Sequence, residues 1–212
     1  MNTVAQSWNY LFSNLGHGQQ MPICQEEALL AFGFGKKPFY SQGFSPGNGQ
    51  LILWFEALCK YRKVQGKAGF FWKKVGYNKT KITDNQALEK IKSALKSNNI
   101  SLVYHCNNHY MLPIGYEESP KNPKLTYKVK TQDLKPEEKN TYIIVADQAL
   151  LPNSQVFVVP NFENICTDLG TEHPYLYNIK GENLTLKRGD EFYPGGKQYK
   201  DNRHCLLAFY KI

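Results

Sequence analysis

Three residues of this chain carry the side chains of a nucleophilic site, in the order Cys24, His109, Asp147. Cys24, as thiolate, would attack a carbonyl carbon. His109 would take up the proton and return it to the leaving group. Asp147 would fix the tautomer and orientation of the imidazole. A backbone amide near Cys24 and the side chain of Gln19 or Gln20 are the candidates for holding the oxyanion. Gln148 follows Asp147 directly and is the alternative third member.

Helices and strands must bring these groups together. Around Cys24 the chain reads PICQEEALLAF. Pro22 suits a first helical turn, and Glu26 and Glu27 suit its positive end. Cys24, Ala28, Ala31 and Phe32 recur at helical spacing, and Gly33 and Gly35 end the run. A cysteine in the first turn of a helix meets free N–H groups and the positive end of the dipole, which favour a thiolate. Residues 100–105 read as a strand, 106–108 as a polar turn, and 110–116 as a second strand that opens on His109. Residues 142–146 read as a further strand ending on Asp147. Antiparallel pairing of Gly115 with Thr141 puts Asp147 opposite His109. Side chains alternate along a strand, so this register selects Asp147 over Gln148.

Elsewhere, residues 1–15 read as a short helix or packed arm, and 49–64 as a helix with Leu51, Trp54, Phe55, Leu58 and Tyr61 on one face. Residues 84–97 form a helix capped by Thr83 or Asp84, with Ala87, Leu88, Ile91 and Leu95 inward. Residues 155–159, 173–179, 184–186 and 205–210 read as strands, and 160–169 as a short helix or loop. The expected fold is α+β in one domain over 1–212. A helical part at about 1–97 packs on an antiparallel sheet part at about 98–212, and 119–140 forms an insertion.

The chain has 212 residues, a formal net charge of +8 and five cysteines. The first 35 residues hold two Glu and no Lys or Arg, so the remainder carries about +10. A basic surface points to an acidic partner, such as an acidic protein face. Lysines interleave with Phe70, Phe71 and Trp72, but such a run is usually core beside a solvated edge, so nucleic acid is not favoured. No apolar run is long enough to span a membrane. Residues 1–20 lack the basic start and apolar core of a signal peptide. An odd cysteine count without framework spacing reads as free thiols. Cys106 and His109, with His204 and Cys205, make only a weak zinc pattern, because structural sites usually show two clean pairs. No metal or cofactor is therefore expected.

The run ALEKIKSALKSNNISLVYHCNNHYMLPIGYE, followed by YIIVADQ, together with Cys24 behind a Gln-rich loop, resembles the papain-like cysteine peptidases. It is most similar to their bacterial C39-like branch. The resemblance implies a papain-like fold, with Cys24 on the helical half and His109 and Asp147 on the sheet half. It implies a thiol-dependent hydrolase that cleaves amide bonds through a thioester. With Gln148 as third member, the pattern resembles bacterial effector deamidases of the same fold, and acyl transfer shares the intermediate. The implied location is the cytoplasm, or a host cell reached without a signal peptide. The competing expectation is a non-catalytic basic binding protein.

Overall fold

The computed structural model describes residues 2–34, 47–76, 78–106, 109–147, 156–171, 175–177, 179, 185–187 and 204–212. Gln148, His173 and the turn residues Asn107 and Asn108 lie outside them. The described helices are α1 (Asn2–Phe12), α2 (Gln25–Ala31), α3 (Asn48–Tyr61), α4 (Asp84–Leu95) and α5 (Phe162–Gly170). The strands are β1 (Gly66–Trp72), β2 (Ile100–Cys106), β3 (His109–Pro120), β4 (Lys139–Ala146), β5 (Phe157–Val158), β6 (Tyr175–Tyr177), β7 (Thr185–Lys187) and β8 (Cys205–Lys211).

Six strands form one antiparallel sheet in the order β1-β8-β2-β3-β4-β5, and β6 pairs with β7 apart from it. The α+β class with an antiparallel sheet is as the sequence implies. Helices cover both faces of that sheet. Val103, Leu112, Cys205, Leu207 and Phe209 pack with Val4, Trp8, Leu11, Leu51 and Phe55 of α1 and α3. Leu102, Tyr104, Cys106, Leu206 and Ala208 pack on the other face with Ala87 and Ile91 of α4 and Phe162 and Ile165 of α5. This is why β8 reads as an apolar run from Cys205 to Tyr210, and why β2 is buried from Ser101 to Cys106, with polar Ser101 and His105 included: alternate residues feed different cores, and both faces are dry.

The β3–β4 register differs from the expected one. Gly115 faces Ile144 and Thr141 faces Glu118, with a bulge between Pro113 and Gly115. The expected pairing is therefore three residues out. Both strands continue to Pro120 and Lys139, into the stretch expected as an insertion, and three short 3-10 turns fill the remainder. Pro113 has no N–H to give the ladder, which suits a bulge at this place.

Helix α4 starts on a full capping box. Gln86 N–H donates to Thr83 Oγ1 at 3.2 Å, and Thr83 N–H donates to Gln86 Oε1 at 3.0 Å. In α3 the expected stripe is buried at Leu51, Trp54, Phe55 and Leu58, but Tyr61 is exposed.

Candidate functional site

Cys24 is the N-cap of α2, one residue before the first turn. It is exposed. Glu26 lies below the ordinary carboxyl range because it accepts its own backbone amide and then the Cys24 side chain. Ile23 and Ala28 on either side are buried in the α1–α3 layer. Gln19 and Gln20 are exposed on the preceding loop, where the backbone of Gln20 bonds to Phe12 O and Asn14 N–H.

His109 opens β3, and Asp147 follows β4. His109 Nε2 and Asp147 Oδ1 are 2.5 Å apart, with Asp147 4% exposed and the imidazole 35% exposed. This contact forms although the expected register does not. Ala146 faces Leu112, so Asp147 lies past the end of the paired segment, and the imidazole of His109 spans the offset. His109 pairs with Cys106 across the hairpin, and directly opposed residues point to one side of a sheet. That side is the one covered by α4 and α5. The structure thus brings His109 and Asp147 together, while Cys24 sits exposed at the start of α2, whose neighbours Ile23 and Ala28 are buried with α1 and α3. Among the described residues no hydrogen bond joins Cys24 to His109.

A second group of acid, imidazole and thiol lies on the α5 face. Cys106, Asp168 and His204 are all buried, and their ligand-type atoms lie within 4.8 Å of one another. Asp168 Oδ1 is hydrogen-bonded to His204 Nδ1. Tyr104 Oη donates to Asp168 Oδ2 at 2.6 Å. Burial and then the negative charge of Asp168 push the Cys106 thiol up, and a backbone hydrogen bond from Ile179 opposes the rise. Burial, with the Asp168 charge next, also holds Tyr104 well above the ordinary phenol range.

Each member is set by a different element. Cys106 ends β2, and the β2–β8 register, with His105 facing Cys205, carries on to His204 as its neighbour. Asp168 is on α5, whose buried stripe is Phe162, Ile165, Asp168 and Leu169. Sequence reasoning missed Asp168, although the signal is there: an acid at a stripe position of an amphipathic helix. Of the weak zinc pattern, Cys106 and His204 meet. His109 is engaged by Asp147, and Cys205 points to the other core.

A third feature is a groove of about 360 Å³ lined by Lys74, Lys79, Thr80, Lys81, Ile82, Thr83 and Gln86, at the start of α4. Lys79 and Lys81 are exposed, while Lys74 Nζ bonds Asp84 Oδ2 at 2.8 Å.

Comparison with known proteins identifies the family. A family model described as basic immunoglobulin-like variable motif-containing protein matches residues 1–212. The chain belongs to this family. Proteins of that name share 33% identity with it in Xenopus tropicalis and 32% in Homo sapiens, over all of this chain and 41% of each relative. The chain thus spans well under half the length of these vertebrate relatives. A Giardia intestinalis protein of the same name is 28% identical over 99% of the chain and 89% of its own length. No solved structure matches the chain.

The family overturns the peptidase resemblance. The match covers the whole chain and leads to eukaryotic proteins of this family, not to bacterial C39-like peptidases, deamidases or effectors. No relative is named for amide hydrolysis, so the reading as a thiol-dependent hydrolase is withdrawn. The motifs behind it are short, and a helix, a strand, a turn and a second strand recur in unrelated folds. The sheet described here, covered by helices on both faces, also differs from the paired sheets of an immunoglobulin sandwich.

Proposed function

We propose that this domain is a non-catalytic basic binding module for acidic segments of other proteins. The observation that carries the reading is the lysine-lined groove at the start of α4. Lys79 and Lys81 line the concavity as exposed lysines, and Lys74 lies there with its ammonium paired to Asp84 at the start of the 12-residue helix. The net charge of +8 supplies a long-range field that draws in anions. Among the described residues the lining includes Ile82 but no aromatic ring to serve as a stacking platform for unpaired bases. Carboxylates of a peptide fit it better.

The test is titration of the protein with a fluorescent glutamate-rich peptide, with a single-stranded oligonucleotide alongside. Saturable peptide binding is expected, weakened about tenfold or more in Lys79→Glu/Lys81→Glu, since each exposed charge contact contributes up to about 1 kcal/mol and reversal doubles the change. Equal peptide affinity in wild type and variant, or tighter binding of the oligonucleotide, would overturn the reading.

A further inference from the structure

We propose that Cys106, Asp168 and His204 form a buried zinc site, with Sγ, a carboxylate oxygen and Nδ1 as the protein ligands. Their ligand atoms already lie within 4.8 Å of one another. Donors around a tetrahedral zinc lie roughly 3–4 Å apart, given bonds of about 2.0–2.3 Å, so small side-chain adjustments bring all three onto one ion. A thiolate, an imidazole and a carboxylate together suit zinc better than calcium or magnesium, which take oxygen ligands.

The surroundings are built like an outer shell. Tyr104 Oη holds Asp168 Oδ2, while Oδ1 is hydrogen-bonded to His204 Nδ1, and that bond would open for both atoms to turn onto the metal. A backbone hydrogen bond from Ile179 reaches Cys106. Such outer contacts fix the orientation of metal ligands. The group is also rigid, because β2 and β8 are paired neighbours and α5 covers them. Asp168 has no exposed surface, and His204 keeps 5%. Hydrogen bonds from Tyr104 and His204 hold this carboxylate when no metal is bound, and zinc would add a compensating cation beside it.

Proton balance on binding is simple. Cys106 gives its thiol proton to solvent and binds as thiolate. His204 gives up the Nδ1 proton that it donates to Asp168 in the metal-free state. That proton goes to Nε2 if the ring is neutral, or to solvent if it is an imidazolium. His204 so presents the Nδ1 lone pair, with one proton left on Nε2. Three protein ligands leave a fourth tetrahedral position for a water molecule. No electron transfer is involved.

The experiment uses the whole chain, expressed with zinc in the medium and dialysed against metal-free buffer. Elemental analysis should find about one zinc per chain. Replacing zinc with cobalt(II) should produce a thiolate-to-cobalt charge-transfer band. That band should vanish in Cys106→Ser and persist in Cys24→Ser, whose thiol is exposed at the start of α2. Tyr104→Phe should keep the band and weaken zinc binding by about 10–100-fold, the range for loss of an outer-shell contact. Wild-type protein without zinc, and with a melting temperature unmoved by added zinc, overturns the proposal. So does a folded Cys106→Ser protein that retains the full zinc content. If the ligand variants do not fold, the zinc content and cobalt spectrum of the wild type decide alone.

Discussion

At the scale of single residues, burial sorts the cysteines. Cys24 is exposed, Cys166 is half-buried, and Cys59, Cys106 and Cys205 are buried. Burial pushes the Cys59, Cys166 and Cys205 thiols up to about 12. A thiol must be both reachable and ionised to be alkylated. Iodoacetamide at neutral pH should therefore label Cys24 first and leave Cys59 and Cys205 unmodified in the folded protein, as read by peptide mass spectrometry. This order follows from access alone and needs no catalytic imidazole. Comparable early labelling of Cys59 would show that the α1–α3 core opens readily. His109 and Asp147 are a separate matter. Asp147 is nearly buried and bonded to the ring, so Asp147→Ala removes an acceptor from a half-buried imidazole. A loss of about 1–3 kcal/mol is expected, measured by urea unfolding at pH 7.

At the scale of elements, local chemistry dominates. The loop after α1 presses Gly16 and Gly18 against that helix. A Cβ on Gly18 would lie 1.9 Å from Phe12 O, and one on Gly16 would lie 2.2 Å from Tyr10 O. Backbone cannot yield as a flexible side chain does, so Gly18→Ala should destabilise by about 1–3 kcal/mol. Thr83→Ala should cost about 1 kcal/mol by removing the cap of α4. Thermal melts of both variants give the check, and a neutral Gly18→Ala would mean that the loop is free to lift. Helix α4 is also tied to β3 through charge. Lys92 Nζ meets Glu118 Oε1 at 2.7 Å, and Lys139 Nζ lies 4.0 Å from Glu118 Oε2. Desolvation works to raise the Glu118 carboxyl, but the Lys92 hydrogen bond and the charges of Lys92 and Lys139 outweigh it, and the net shift is downward. Its folded-state pKa is then below the unfolded value, so its contribution is complete above about 4.3 and is lost as pH falls through the lower folded value. Glu118→Gln should flatten the fall in stability across that acidic window. An unchanged acid limb in the variant would argue that other carboxylates carry it.

At the scale of the whole molecule, charge is the property with the longest reach. The N-terminal 35 residues add no basic charge, so the lysines belong to the rest of the chain. Screening shortens that reach to about 10 Å at 0.1 M salt. Binding of an acidic peptide should accordingly weaken steeply between low and moderate salt, mostly through the association rate. Stopped-flow mixing at several salt concentrations measures this. An association rate insensitive to salt would point to an apolar contact surface instead. Among the described residues no helix is long and apolar enough to cross a membrane.

Sequence alone determined most of the elements, because their causes are local. Thr83 and Gln86 cap α4, Gly33 at φ 82° follows α2, and an apolar run from Cys205 to Tyr210 marks β8. The order of helices, then mostly strands, determined the α+β class. Only the tertiary structure decided which faces those elements share. The C-terminal strand β8 enters between β1 and β2, a placement with no local signature, and it splits the helices between two faces. That long-range pairing sets which core each residue of the central strands enters. It also carries His204 to Cys106, nearly a hundred positions away in sequence, while α5 supplies Asp168. The β3–β4 register was out of reach for a related reason. It depends on how far pairing runs into 119–140 and on the bulge beside Pro113, and neither is written in the alternation of side chains.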